Sequence, residues 1–219
     1  MPSPLLEPTL LRRIALSLGR FGLYWGVLVL AWPLFAPLFR PLYCAVGNLA
    51  LDHGQARASF EVTEKIDGDH DVDITLRKAG TKVTAKMYTS SRLSGYLPLI
   101  SFVAFCLATP VPWKRRQKAL LWGLVFIALF ILLRMWVPIR RDFSNPNELQ
   151  VYDPGALMRW WVGILERAFV NAPASWFIVP IFVWVGTAFQ RSDWELLDGG
   201  TSGAEGRSGG PSGGDPGHP

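Results

Sequence analysis

GYLPLISFVAFCLATPVPW (residues 95–113), KRRQK (114–118) and ALLWGLVFIALFILLRMWVPI (119–139) follow one another without interruption, and their reading decides the fold. The first block is uncharged for 19 residues, and the third is interrupted by Arg134 alone. A helix rises about 1.5 Å per residue, so each block covers the roughly 30 Å of a bilayer's hydrocarbon. Two spanning helices joined by a short basic connection are the direct expectation. Arg134 lies about 22 Å from the Ala119 end, near enough to an interface to snorkel there or to pair with Asp142.

Outward from these blocks, Phe21–Phe39 is uncharged for 19 residues and Val170–Phe189 for 20, which predicts two further spans. The expected fold class is an α-helical polytopic membrane protein of about four transmembrane helices with a small extracytoplasmic antiparallel β-sheet. Lys114, Arg115, Arg116 and Lys118 make the 114–118 connection cytoplasmic by the positive-inside tendency. Both termini then lie in the cytoplasm, in agreement with Arg12, Arg13 and Arg20 ahead of the first span. The predicted order is a cytoplasmic N-terminus 1–20, spans at 21–39, 95–113, 119–139 and 170–189, outer segments 40–94 and 140–169, and a cytoplasmic tail 190–219. The first apolar run exceeds the core of a secretory signal, and Tyr43 before Cys44 does not fit a lipobox, so the run reads as an uncleaved anchor. A bacterial inner membrane is the expected location.

The net charge of +5 does not point to nucleic acid, because orientation and anionic lipid account for it and no basic cluster is interleaved with exposed aromatics. The lipid bilayer is the first expected partner. Cys44 and Cys106 belong to different apolar blocks, and no disulfide framework is indicated.

The outer segment 40–94 alternates as strands do. Phe60 and Val62 share one face, Val72, Ile74 and Leu76 another such row, and Val83, Ala85 and Met87 a third. Asp67-Gly68-Asp69 and Ala79-Gly80 supply the turns. So small a sheet has one apolar face and nothing of its own to cover it, so that face is expected to rest on nearby helices or on a partner. Between the last two spans, Asp153 and Pro154 read as cap and first position of a helix whose polar stripe is Arg159, Gly163, Glu166 and Arg167. Its apolar remainder, with Trp160 and Trp161, suits a helix lying in the outer interface. The expected partner-binding residues are therefore Phe60, Val62, Ile74, Leu76, Trp160 and Trp161.

The tail from Asp198 is rich in Gly, Ser and Pro and is expected to be disordered. Pro33 and Pro37 in the first span and Pro98, Pro110 and Pro112 around the second predict kinks whose freed carbonyls need partners in neighbouring helices.

No catalytic residue, metal site or cofactor is assigned, and the chain reads as non-enzymatic. Two other classes fit parts of the sequence. A membrane cysteine enzyme would use Cys44 with His53 at the outer face. A cation sensor would use Asp67, Asp69, Asp71 and Asp73, but a calcium loop starting at Asp67 would need Gly where Val72 stands and Glu where Lys78 stands. A transporter is disfavoured by the lack of a polar midplane stripe.

Ser90-Ser91-Arg92-Leu93-Ser94-Gly95-Tyr96-Leu97-Pro98-Leu99, with Leu107-Ala108-Thr109-Pro110 and the basic residues after it, resembles the small membrane proteins associated with exosortase H. The resemblance covers about 30 residues. It implies a bacterial inner-membrane accessory to an enzyme that cleaves a C-terminal sorting signal from exported proteins, with that exosortase as a partner. It carries over no catalytic residue.

Overall fold

Pro33 cannot donate the N–H that an unbroken helix would give to Val29, and the first apolar run divides just before it. Helix α1 covers Pro8–Leu30 and α2 covers Trp32–Leu51, with Ala31 between them. Around the break the Ala31 N–H still reaches the Val27 carbonyl at 2.9 Å, while the Leu28 carbonyl receives the Tyr96 hydroxyl at 2.7 Å. The Leu28 carbonyl, one residue before the carbonyl that Pro33 leaves without a helical donor, thus has a partner in a neighbouring segment. Pro33, Pro37 and Pro41 recur at every fourth position along an exposed face of α2.

This computed structural model describes residues 8–67, 70–109, 111–146, 149–170, 172 and 174–188. Residues 1–7 and 189–219, the second range including the tail expected to be disordered, lie outside the described residues.

Among the described residues the chain is mostly helical, with one small antiparallel sheet. After α2 come β1 (Asp52–His53), β2 (Ala56–Asp67), β3 (His70–Lys78) and β4 (Thr84–Thr89). A π-helical turn at Arg92–Tyr96 leads into α3 (Leu97–Ala108), followed by α4 (Trp113–Asp142) and α5 (Ala156–Leu165). A second π-helical turn, Glu166–Val170, precedes α6 (Ser175–Ala188).

Several boundaries differ from the sequence reading. The helix of the second apolar block is Arg92–Ala108 rather than 95–113, because Thr109 turns extended ahead of Pro110. The basic residues 114–118 are not a loop; they form the first turns of α4. Helix α2 carries on to Leu51, well past Phe39, because Tyr43, Cys44 and Gly47 are buried there under the sheet. Trp32–Leu51 and Trp113–Asp142 are long and apolar enough to cross a membrane, and α5 with α6, bent by 92°, make a third candidate if taken as one broken span. Ala15–Leu30 and Arg92–Ala108 are apolar but shorter.

Strand order follows chain order, β1-β2-β3-β4, with every pair antiparallel. Phe60 stands opposite Ile74 and Ile74 opposite Met87, so the three alternating rows expected from sequence lie side by side. Gly80 supplies the turn between β3 and β4 with φ +80°. The two-residue β1 was not anticipated; it folds back on β2 through Gly54 at φ +72°.

Among the described residues the buried apolar side chains gather under the sheet and around α3. Ala58, Phe60, Val72, Ile74 and Leu76 of the sheet pack with Tyr43 and Cys44 of α2 and with Met135, Ile139 and Phe143 at the end of α4. Elsewhere α3 touches α1, α4 and α6. Its Phe105 stacks on Phe21 at 4.2 Å and on Trp184 at 5.4 Å. Trp25 donates its indole N–H to Ser101 at 3.1 Å and Trp184 to Thr109 at 2.9 Å, so polar atoms of α3 are met from both neighbours. Cys106 is buried beside Phe102 and Ile127.

Candidate functional site

The sheet meets the helices through a set of directed bonds. Gly47 leaves room for the Phe60 ring, whose carbons would stand 2.8 Å from a Cβ at that position. The next residue, Asn48, donates its amide to the Phe60 carbonyl at 3.0 Å and accepts the Phe60 N–H at 2.6 Å. Asn48 thus pairs with the backbone of β2 as another strand would.

Asp71 forms the second attachment. Although strand alternation groups it with solvated residues, it is 3% exposed. Its carboxylate accepts Arg40 Nε at 3.0 Å, the Ser91 N–H at 2.7 Å and the Ser91 hydroxyl at 2.8 Å. Arg40 also lies over the Trp32 ring, 5.7 Å from its centre. One carboxylate therefore joins α2, β3 and the approach to α3. Sequence reasoning missed this role because the partners are remote in the chain and Asp71 stands in an aspartate-rich run.

The residues expected to bind a partner separate into two sets. Phe60, Ile74 and Leu76 are buried under this chain's own helices, which takes up the apolar face that the sheet alone cannot cover. Val62 shares their face but reaches past the cover and is 43% exposed. Trp160 and Trp161 are also open, at 58% and 49%, and their rings meet edge-to-face at 5.3 Å. Their helix begins at Ala156, with Gly155 as its cap (φ −56°, ψ 163°) rather than Asp153. The predicted polar stripe holds: Arg159, Gly163, Glu166 and Arg167 all line one cleft.

Cys44 is 6% exposed within the sheet–helix core, a position suited to an apolar filler rather than a thiolate nucleophile. The side chain of His53 lies outside the described residues. Asp71 is engaged as above and Asp73 accepts the Thr63 hydroxyl, while Gly68, Asp69 and the side chain of Asp67 are outside the described residues. Among the described residues no three His, Cys, Asp or Glu side chains converge as a metal site would require. Arg134 does not pair with Asp142 among the described ion pairs; its guanidinium lies 5.9 Å from the centre of the Phe130 ring, one turn back.

No protein-family model, no curated protein and no solved structure matches this chain.

Proposed function

We propose that this chain is a non-enzymatic accessory protein of a bacterial inner membrane. On this reading it crosses the bilayer four times, keeps both termini in the cytoplasm, and presents the sheet and α5 outside. The partner is a membrane or exported protein of an exosortase-type sorting system, in line with the resemblance around Gly95–Pro110.

The observation that carries the proposal is the attachment of the sheet. Asp71 and Asn48 lock it to α2, its apolar face is filled from within, and Val62 of the sheet and Trp160 and Trp161 of α5 remain open. Such an arrangement suits a rigid platform better than a reaction centre. The apolar contacts of α3 with α1, α4 and α6 support the four-span reading, since each of these helices contributes an apolar surface to one bundle.

A photo-crosslinking residue placed at Val62, Trp160 or Trp161 tests the proposal in cells that make an exosortase and an exported protein bearing its sorting signal. Adducts to either are expected. Adducts confined to lipid or to further copies of this chain would overturn the partner assignment. A periplasm-active reporter should stay silent when fused after Lys118 and respond when fused after Lys82; the reverse pattern would overturn the orientation.

A further inference from the structure

Between the end of α4 and α5 lies a cleft of about 340 Å³ lined by Arg141, Arg159, Arg167, Glu166, Ser144 and Asn145, among others. Glu166 is bonded to Arg141. The described ion pairs leave Arg159 and Arg167, both exposed, without a carboxylate. Three guanidinium groups against one carboxylate give the cleft a net positive charge. The Ser144 hydroxyl already donates to the Arg140 carbonyl at 2.7 Å, so the Asn145 amide is the neutral side-chain donor left at the rim.

We propose that this cleft binds a phosphate group, carried by an anionic phospholipid of the leaflet in which α5 lies. The planar fork of arginine fits phosphate oxygens with paired N–H donors, and two such forks remain free here. The depth is set by the neighbours: Trp160 and Trp161 are half-exposed and Leu157 is 70% exposed on the same helix. Exposed tryptophans and arginines together belong at the headgroup level of a bilayer. Helix α5, with the turn that continues it, makes 92° with α6, as a helix lying in an interface would with one entering the membrane. A lipid phosphate is therefore already at hand where the cleft opens. The proposal needs only that α5 meets a bilayer, and it does not depend on an exosortase partner.

The test uses the full chain in neutral detergent, with Tm followed during titration with short-chain phosphatidylglycerol, short-chain phosphatidylcholine and glycerol phosphate. Phosphatidylglycerol should raise Tm by several degrees, and the other two should not. In the double variant Arg159→Gln, Arg167→Gln the apparent affinity should fall at least about tenfold, because charge-assisted hydrogen bonds are lost. A control, Arg77→Gln with Lys82→Gln, removes the same charge from exposed positions on β3 and the β3–β4 connection and should keep the response. Arg159→Gln alone should weaken it in part, which preserves the test if the double variant does not fold.

An unchanged response in the double variant, or an equal loss in the control, would overturn the site. An equal shift with glycerol phosphate would overturn the lipid assignment in favour of a soluble phosphate compound. Crosslinking from Val62 should be unaffected by all of these variants, so failure here is separable from failure of the partner proposal.

Discussion

The Tyr96 hydroxyl donates to the Leu28 carbonyl at 2.7 Å, at the place where the helical run of α1 and α2 is broken. In hydrocarbon a backbone carbonyl without a donor is costly, so the side chain that opens α3 takes over the role of a helical N–H. The same ring lies against Trp32 at 4.7 Å and Phe39 at 5.5 Å, so both sides of the break are held by one residue.

Tyr96→Phe keeps these ring contacts and removes the donor. It should lower stability by about 1 kcal/mol. Thermal unfolding in detergent measures this, and a variant as stable as the parent would show that the break has another partner.

Removing the carboxylate at Asp71 should be more severe. Asp71→Ala leaves Arg40 without its counter-charge and the Ser91 N–H without its acceptor, at a cost of about 3 kcal/mol. Replacing Arg40 with Gln and Asp71 with Asn together should cost less than the sum of the single changes, since paired groups couple. Strict additivity would mean that the pair is not formed.

Adjacent positions on β3 test the covered face. Ile74→Asp places a charge in the core between sheet and helices and should cost at least about 3 kcal/mol, whereas Thr75→Asp points the other way and should be tolerated. Val62→Asp should also be tolerated, because that end of the row is open. Protease resistance of the segment that carries the sheet reads all three, and equal sensitivity at 74 and 75 would refute the strand register.

Gly123 faces the ring of Phe102, and a Cβ at that position would overlap it. Gly123→Ala should destabilise the contact of α3 with α4 by about 1–3 kcal/mol. Adding Phe102→Leu should recover part of the loss, and absence of any recovery would place the strain elsewhere.

The strands were legible because one face of the sheet is buried, and period-two alternation records burial directly. The stripe Arg159, Gly163, Glu166 and Arg167 was legible for the corresponding reason on a helix. What escaped depends on distant partners. Asp71 looks solvated beside Asp69 and Asp73 and becomes a buried acceptor through Arg40 and Ser91, 31 and 20 residues away. Cover from the sheet extends α2 to Leu51, which local hydropathy does not encode. The helical state of residues 114–118 escaped because a run of basic residues between apolar blocks reads as a connection, although Lys, Arg and Gln are good helix formers. The neighbouring dipeptide Gly47-Asn48 was the usable signal for sheet attachment, a small residue followed by an amide just before the first strand.

The arrangement of the sheet core also bears on biosynthesis. Tyr43, Cys44 and Gly47 precede the strands in the chain, while Met135, Ile139 and Phe143 follow them. During synthesis the strands emerge with one wall of their enclosure already made and the other still to be translated. Phe60, Ile74 and Leu76 must therefore wait, partly uncovered, until α4 has been threaded into place. A pause or truncation before Met135 would leave a nascent sheet that is sticky on one face, and the quality-control proteases of its compartment would meet it in that state.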